Sequence, residues 1–271
     1  MALTGDVVIL RGGGDLATAV AQKFFRTNHR LLVLEVAQPL AIRRTVALCE
    51  CVYEGQVQVE DMVTVHVKSD EEILACWERE EIPVLVDPEG EAISRFSPTA
   101  VLDVILAKKN LGTRRDMADC VVAVGPGFTA GEDVDVVVES SRGHDLGRLI
   151  FEGPAKPNTG VPGVIGGFGR ERVVHSPADG DFRHVAAIGD LVESGEVIAY
   201  VGETPVTVEI SGVLRGLLRE GLEIKQGLKI ADVDPRGVVE HCFTITDKGR
   251  AIAGGVLEAV MILKNRRKKG A

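Results

Sequence analysis

The 271-residue chain predicts an α/β fold: a mostly parallel sheet with covering helices, then a smaller β unit and a C-terminal helix. Three observations predict it. Apolar, strand-sized runs alternate with helix-length stretches over residues 1–150. Residues 153–169 then hold three prolines and six glycines, the texture of a long loop. Beyond them an internal repeat begins, and the chain closes on a segment with helical periodicity over 247–264.

Composition agrees. The chain is 45% hydrophobic but only 4% aromatic, which suits buried parallel strands rich in Val, Ile and Leu. A net charge of −9 argues against general nucleic-acid binding, and the basic tail at Lys264 and Arg266–Lys269 reads as a solvated end. Five scattered cysteines, an N-terminus that enters a strand at once and apolar runs too short for a membrane span predict a cytoplasmic protein with reduced thiols.

Residues 6–35 are the most informative stretch. Val7–Leu10 is an apolar strand, Gly12-Gly13-Gly14 a turn, and a helix and a second strand lead to Glu35. This Rossmann-like unit places a pyrophosphate on a helix N-terminus and a ribose on an acid. Gly12, Gly14 and Ala17 fill the three small positions, and Glu35 follows Gly14 by 21 residues, where the acid is expected. The alternative is a glycine turn that only lets the helix pack closely.

Residues 39–51 are ambiguous between helix and strand. Val63, Val65 and Val67 alternate as in a strand, and Ser69 with Glu72 makes a capping box for a helix through Trp77. Ile82–Asp87 reads as a strand ending in an acid. Ser97-Pro98 predicts a helix start, with Val101, Leu102, Ile105 and Leu106 on its apolar face. Cys120–Val124 is a further buried strand, leading into Gly125-Pro-Gly127.

Residues 180–201 align without gaps on 212–233. Gly180, Arg183, Gly189, Gly195, Ile198, Ala199 and Val201 match Gly212, Arg215, Gly221, Gly227, Ile230, Ala231 and Val233. Short strands and glycine turns, twice over, predict two interlocked halves, because one half cannot bury its own face. The pattern resembles the biotinyl/lipoyl barrel-sandwich, though the joining segment 202–211 lacks the lysine of a carrier domain. The expected division is therefore 1–150, a loop or linker over 151–169, a barrel-sandwich domain over 170–236, and a helix over 237–271 that packs back.

The candidate cofactor-binding residues are Gly12, Gly13, Gly14, Asp15, Glu35, Arg43, Gly125, Gly127, Arg142 and His144. The glycine turn after a strand sits where open α/β sheets bind ligands, and Arg142, His144 and Arg148 offer donors to an anion. Arg43-Arg44 and Lys108-Lys109 are further basic clusters that could share an anion pocket with Gly12–Gly14. Catalytic residues are not identifiable. Cys49 and Cys51, two apart, are candidates for sulfur or selenium chemistry, against the commoner reading of buried cysteine as a small hydrophobe. No set of histidines has metal-ligand spacing, and the sequence holds no HExxH and no CxxC pair, so no metal is expected. P-loop, zincin and α/β-hydrolase motifs are missing from the sequence.

Several phrases together resemble one family. They are RGGGDLAT (11–18), VLEVAQPLAIRRTV (33–46), VLVDP (84–88), ILAKKNLGT (105–113), VGPGFTAGEDV (124–134), RGHDLGR (142–148), PNTGVPG (157–163), SGVLRGLLREG (211–221), GLKIADVDPRG (227–237) and AIAGGVLEA (251–259). In this order they resemble the YqeB-type accessory proteins of selenium-dependent molybdenum hydroxylase systems, distant relatives of the xanthine dehydrogenase accessory factors. The resemblance implies a maturation factor that binds a molybdopterin dinucleotide or NAD-like cofactor for its modification or insertion. Its implied partners are a molybdenum hydroxylase or other maturation proteins, with no nucleic acid and no membrane, and homo-oligomerisation is left open. An NAD-dependent oxidoreductase and a non-catalytic scaffold that docks a hydroxylase are the alternatives. No tyrosine–lysine or histidine–carboxylate pair announces a hydride-transfer site for the former.

Overall fold

The computed structural model describes residues 5–270, with side chains through Arg267, so Lys268 and Lys269 of the basic tail lie outside the described side chains. Two compact units divide the chain. One comprises Met1–Pro39, Ala47–Asn158 and Ile245–Ala271; the other comprises Leu40–Val46 and Thr159–Thr244.

The first unit is built on nine strands. They are β1 (Val7–Arg11), β2 (Arg30–Glu35), β3 (Gln56–Val59), β4 (Met62–Val67), β5 (Ile82–Val86), β6 (Ala100–Asp103), β7 (Cys120–Val124), β9 (Val136–Val138) and β10 (Leu149–Ile150). A two-stranded sheet of β8 (Thr129–Ala130) and β11 (Gly153–Pro154) stands apart from them. The large sheet runs β10-β9-β7-β6-β1-β2-β5-β4-β3. Its centre is parallel, but β3 pairs antiparallel with β4 and β10 with β9. The expected mostly parallel, Rossmann-like sheet is thus corrected to a mixed one. The cause is local: Glu60 (φ 50) and Asp61 turn β3 straight back into β4, a hairpin that needs no crossover helix.

Helix α1 (Asp15–Arg26) crosses between β1 and β2, burying Leu16, Ala17, Val20, Ala21 and Phe24. Between β2 and β3 the ambiguous segment forms two 3-10 turns, Arg44–Val46 and Leu48–Glu50, and the four-residue α2 (Cys51–Glu54). Helix α3 (Asp70–Glu78) starts at the expected cap: Glu72 N donates to Ser69 Oγ at 3.3 Å, and Lys68 N donates to Glu72 Oε2 at 2.6 Å. After the short α4 (Glu91–Phe96) the chain departs from expectation. Residues 100–103 are β6, a fully buried central strand, not the start of a helix. A strand covered on both faces is a continuous apolar run with no period to betray it. The C-terminal helix α5 (Asp247–Gly270) buries Ile252, Ala253, Val256, Ala259 and Val260 and packs on α1 and β7. Among the described residues no helix is long and apolar enough to cross a membrane.

The second unit carries β12 (Val173–His175), β13 (Gly180–His184), β14 (Leu191–Val192), β15 (Val197–Val201), β16 (Thr204–Thr207), β17 (Gly212–Leu217), β18 (Glu223–Ile224) and β19 (Lys229–Asp234). Each repeat supplies three strands and lends its short one to the other: β14 pairs with β17, and β18 with β13. The result is two four-stranded antiparallel sheets, β12-β19-β17-β14 and β16-β15-β13-β18. This corrects the expected biotinyl/lipoyl-like barrel-sandwich. The strands divide between two sheets, each ending on edge strands. The unit also takes in residues 40–46, where Leu217 N donates to Ile42 O at 2.8 Å. Phe182, Ile198, Leu214, Leu217, Ile230 and Val233 form its core.

Candidate functional site

Parallel strands end on the same side, so the carboxyl ends of β1, β2, β6 and β7 share one edge of the first unit's sheet. Strand order reverses at β1, with β2 on one side and β6 on the other, which is where open α/β sheets admit ligands. Three consecutive glycines leave β1 there, and each does something different.

Gly12 closes the crevice. Its φ of +94° is one that only glycine adopts without strain, and a Cβ on it would come within 3.0 Å of Ile105 Cα. Gly13 is packed on its other side, where a Cβ would meet Cys49 N at 3.1 Å and Val33 Cγ1 at 3.2 Å. Its carbonyl accepts from Cys49 N at 3.0 Å, and its N–H donates to Glu35 Oε1 at 2.6 Å. Glu35 Oε2 accepts in turn from Val36 N at 2.9 Å. Gly14 alone faces open space, with nothing within 4 Å of a Cβ built on it. It is the N-cap of α1 and, lacking a side chain, leaves the first-turn amides without a side-chain cap.

A second glycine turn joins the first through the loop after β6. Leu106 Cδ2 lies 3.3 Å from a Cβ built on Gly125, and Ser140 Oγ lies 2.6 Å from it. Gly127 sits against the backbone of Lys108 and Lys109, closer than any Cβ allows. Leu106 (φ 60) and Lys108 (φ 63) hold left-handed backbone, a strain that costs non-glycine residues about 1–3 kcal/mol each. Beyond Ser140 lies the buried Glu139, whose oxygens accept from Ser141 N at 2.7 Å and Lys156 N at 2.9 Å.

The electrostatics are uneven. Burial raises the Glu35 carboxyl above its ordinary range, against the lowering effect of the Gly13 and Val36 amides. Burial likewise pushes the Cys49 thiol well up, with the charges of Glu35 and Glu50 adding to the effect. Cys51 is pushed up to about 12, again chiefly by burial. Both thiols stay protonated at neutral pH, so neither is a ready nucleophile. Lys248, on the first turn of α5, is half-buried, and burial followed by the Arg142 charge lowers its affinity for a proton. Asp15, Glu139 and Asp247 oppose that shift, which places Lys248 among the charges around the start of α1 and the loop after β9.

Gly12, Gly13, Gly14, Asp15, Glu35, Gly125 and Gly127 therefore come together on one edge, in one unit. Arg142 is held by Asp247 at 2.9 and 3.1 Å, and His144 is exposed. Arg43 belongs to the second unit, where it donates to the carbonyl oxygens of His241 at 2.8 Å and Thr244 at 3.1 Å. Cys49 and Cys51 sit in a 3-10 turn and at the start of α2 rather than on one strand face. Among the described residues no three His, Cys, Asp or Glu side chains are grouped as a metal site requires.

Two features escaped sequence reasoning. Lys248 begins a helix whose apolar face draws the eye instead. Arg11, directly before the glycines, is 3% exposed and ties the loops together. It donates to Thr113 Oγ1 at 2.6 Å, to Leu111 O at 3.0 Å and to Pro88 O at 3.1 Å, with Asp103 at 3.9 Å behind. The only sequence signal was a charge at the end of an otherwise apolar strand.

A diphosphate fits part of this edge. Gly14 offers the space a Cβ would fill and α1 the uncapped amides. The Gly13 amide is already taken by Glu35, and Ile105 closes the β6 side.

No family model matches the chain. It is 45% identical over 258 residues to the uncharacterized protein YqeB of Escherichia coli (strain K12), covering 95% of this chain and 48% of that one. The chain is thus a relative of YqeB and spans about half the length of that protein. Solved structures with some likeness are the product-bound ectoine utilization protein EutE (DoeB) from Ruegeria pomeroyi, at 12% identity, 85% of both chains and a TM-score of 0.25; a succinylglutamate desuccinylase/aspartoacylase from Rhodobacter sphaeroides, at 11%, 86% of both and 0.26; and an aspartoacylase family protein from Mesorhizobium loti, at 11%, 86% of both and 0.28. At such scores the likeness assigns neither fold nor activity. None of the three is described as a molybdenum hydroxylase accessory protein or a barrel-sandwich hybrid.

Proposed function

We propose that the first unit binds a dinucleotide-type cofactor, a pterin dinucleotide or an NAD-like molecule, by its diphosphate at Gly14 and the amino end of α1. The observation that carries the reading is the empty volume before an uncapped twelve-residue helix at the switch point of the sheet. Backbone N–H groups and the helix dipole favour an anion there. Gly13 and Glu35 flank one side of that volume, and Lys248 lies within electrostatic reach of Asp15, the first residue of α1.

The cofactor would be held for modification or for insertion into a partner enzyme. The resemblance to YqeB-type proteins supports a molybdenum hydroxylase or another maturation protein as that partner. A site that binds without a ready nucleophile suits holding better than turnover, since the nearby thiols are protonated. Native mass spectrometry of the purified protein, followed by calorimetric titration of whatever dinucleotide dissociates, tests this. A chain that carries none, and takes up neither NAD+ nor a pterin dinucleotide, is not a cofactor-binding protein.

A further inference from the structure

Glu35 stands where a ligand's anionic oxygen would stand. One carboxylate oxygen takes the Gly13 amide at 2.6 Å and the other the Val36 amide at 2.9 Å. The turn that would grip an incoming phosphate already holds an anion belonging to the chain. Its surroundings add no compensating charge: the Cys49 and Cys51 thiols and the Glu50 carboxyl lie on the segment packed against it, Val33 is apolar, and among the described residues no ion pair reaches Glu35. A charge-assisted bond from an amide to a carboxylate is strong, and a ligand phosphate must compete with it.

We infer that Glu35 is a proton-operated lock on this turn: ionised, it holds the Gly13 amide and repels a ligand phosphate; protonated, it frees that amide and can donate its own O–H to the ligand. The inference rests on the diphosphate reading of Gly14 given above. Capture of the cofactor is then coupled to uptake of one proton at Glu35, and release to its loss. Burial, the largest influence on this carboxyl, moves the switch toward neutral pH. The lock selects against phosphate at alkaline pH and admits it as pH falls. Above the range in which Glu35 titrates, affinity rises about tenfold for each pH unit of acidification.

The test is calorimetric titration of the full chain with NAD+ and with CDP-choline, two diphosphate diesters whose own charge is constant over the range used. Measurements at about pH 8 and about pH 6, each in two buffers of different ionisation heat, also read proton uptake directly. The wild type should bind at least one probe more tightly at the lower pH, by about tenfold and up to about a hundredfold over the two units, taking up a proton at the higher pH. Glu35→Gln should bind more tightly than the wild type at the higher pH, equally at both pH values and with no uptake. Glu35→Asp keeps the charge but draws it back by one methylene, and should bind between the two. Wild-type affinity that ignores pH, or a Glu35→Gln that binds more weakly at every pH, overturns the lock while leaving the diphosphate site standing. Failure of both probes to bind wild type at either pH overturns the site, and the lock with it. Proton uptake by the wild type needs no variant, so a poorly folded substitution does not remove the test.

Discussion

Gly14→Asp separates binding from folding at the glycine turn. In the folded chain Gly14 has φ −67° and ψ −179°, extended backbone that any residue adopts, and a Cβ would touch nothing within 4 Å. Asp at an N-cap is favoured over Gly by a few tenths of a kcal/mol, and its charge gains roughly 0.3–1 kcal/mol from the helix dipole. Stability should therefore hold or rise slightly, a shift in Tm of about 3 °C or less for a chain of this size. Binding should suffer heavily. A carboxylate about 4 Å from a ligand phosphate costs roughly 4 kcal/mol at an effective dielectric near 20. Halved for solvent at an open turn, that is still about thirtyfold in affinity, since every 1.4 kcal/mol is about tenfold. The new side chain also caps the amides the ligand would use. Calorimetry at about pH 6 reads the affinity, and thermal unfolding monitored by circular dichroism reads the fold. Wild-type affinity in Gly14→Asp would refute the placement of the anion; a large fall in Tm would refute the claim that the space is open.

Gly12→Ala should do the reverse, costing roughly 3 kcal/mol of stability in urea titrations, because φ +94° and contact with the Ile105 backbone both oppose a Cβ; an unchanged midpoint would contradict the close approach. Arg215→Ala should cost roughly 3–5 kcal/mol, as it leaves Asp232 and Asp234 buried without their shared cation, whereas Arg183→Ala should cost under about 1 kcal/mol; equal losses in chemical denaturation would refute the distinction. Asp234 should also shape acid unfolding. Burial raises it, but hydrogen bonds from Arg236 and the charge of Arg215 prevail and lower it from 3.8 to about 2. Its contribution, about 2 kcal/mol, is full above pH 3.8 and lost as pH falls through about 2, so Asp234→Asn should flatten that part of the stability profile. Finally, Cys49 and Cys51 should resist a thiol reagent at neutral pH until the chain unfolds, both being buried with thiols pushed upward; rapid labelling of native protein at either would restore a reactive role.

What could be read from the sequence was local. Strand β1, the glycine turn, α1 and β2 all lie within residues 7–35, and their spacing alone defines them. The cap at Ser69 is equally local. Strand β6 could not be read, because Ser97-Pro98 imitates a helix start and residues 100–103 are apolar on both faces. The fate of the turn was hidden for a different reason. Gly13 looks like a phosphate ligand until Cys49, 36 positions on, is seen to pack against it, and Glu35 looks like a free ribose acceptor until its oxygens are found on the Gly13 and Val36 amides. Arg11 bonds to Thr113 across 102 positions, a pairing no periodicity announces. Arg43 was grouped with the glycines because it closely follows β2, whereas residues 40–46 join the other unit.

The repeat shows how one register can serve two physical ends. Arg183 and Arg215 occupy matching positions, and in each half the partners come from matching positions on the following long strand. In the first half these are Tyr200 and, just past the strand, Gly202: Arg183 lies 5.7 Å from the Tyr200 ring centre and donates to Gly202 O at 3.0 Å, with the fully exposed Glu203 carboxylate 4.0 Å away and its own side chain 58% exposed. In the second half they are Asp232 and Asp234, and Arg215, only 7% exposed, bridges both carboxylates. Burial accounts for the divergence. An arginine in solvent is satisfied by a ring face and one carbonyl, because water takes its remaining donors. The same arginine under cover needs full charge compensation, since an unpaired buried ion is far costlier than a lost hydrogen bond. Arg172 joins from β12's side to take the other oxygen of Asp232 at 2.7 Å, and Arg236 closes on Asp234 at 2.6 Å, so the network extends beyond the repeat into residues the first half does not possess. The second copy is therefore the ionic anchor of its sheet, whereas the first makes a solvated contact at the surface.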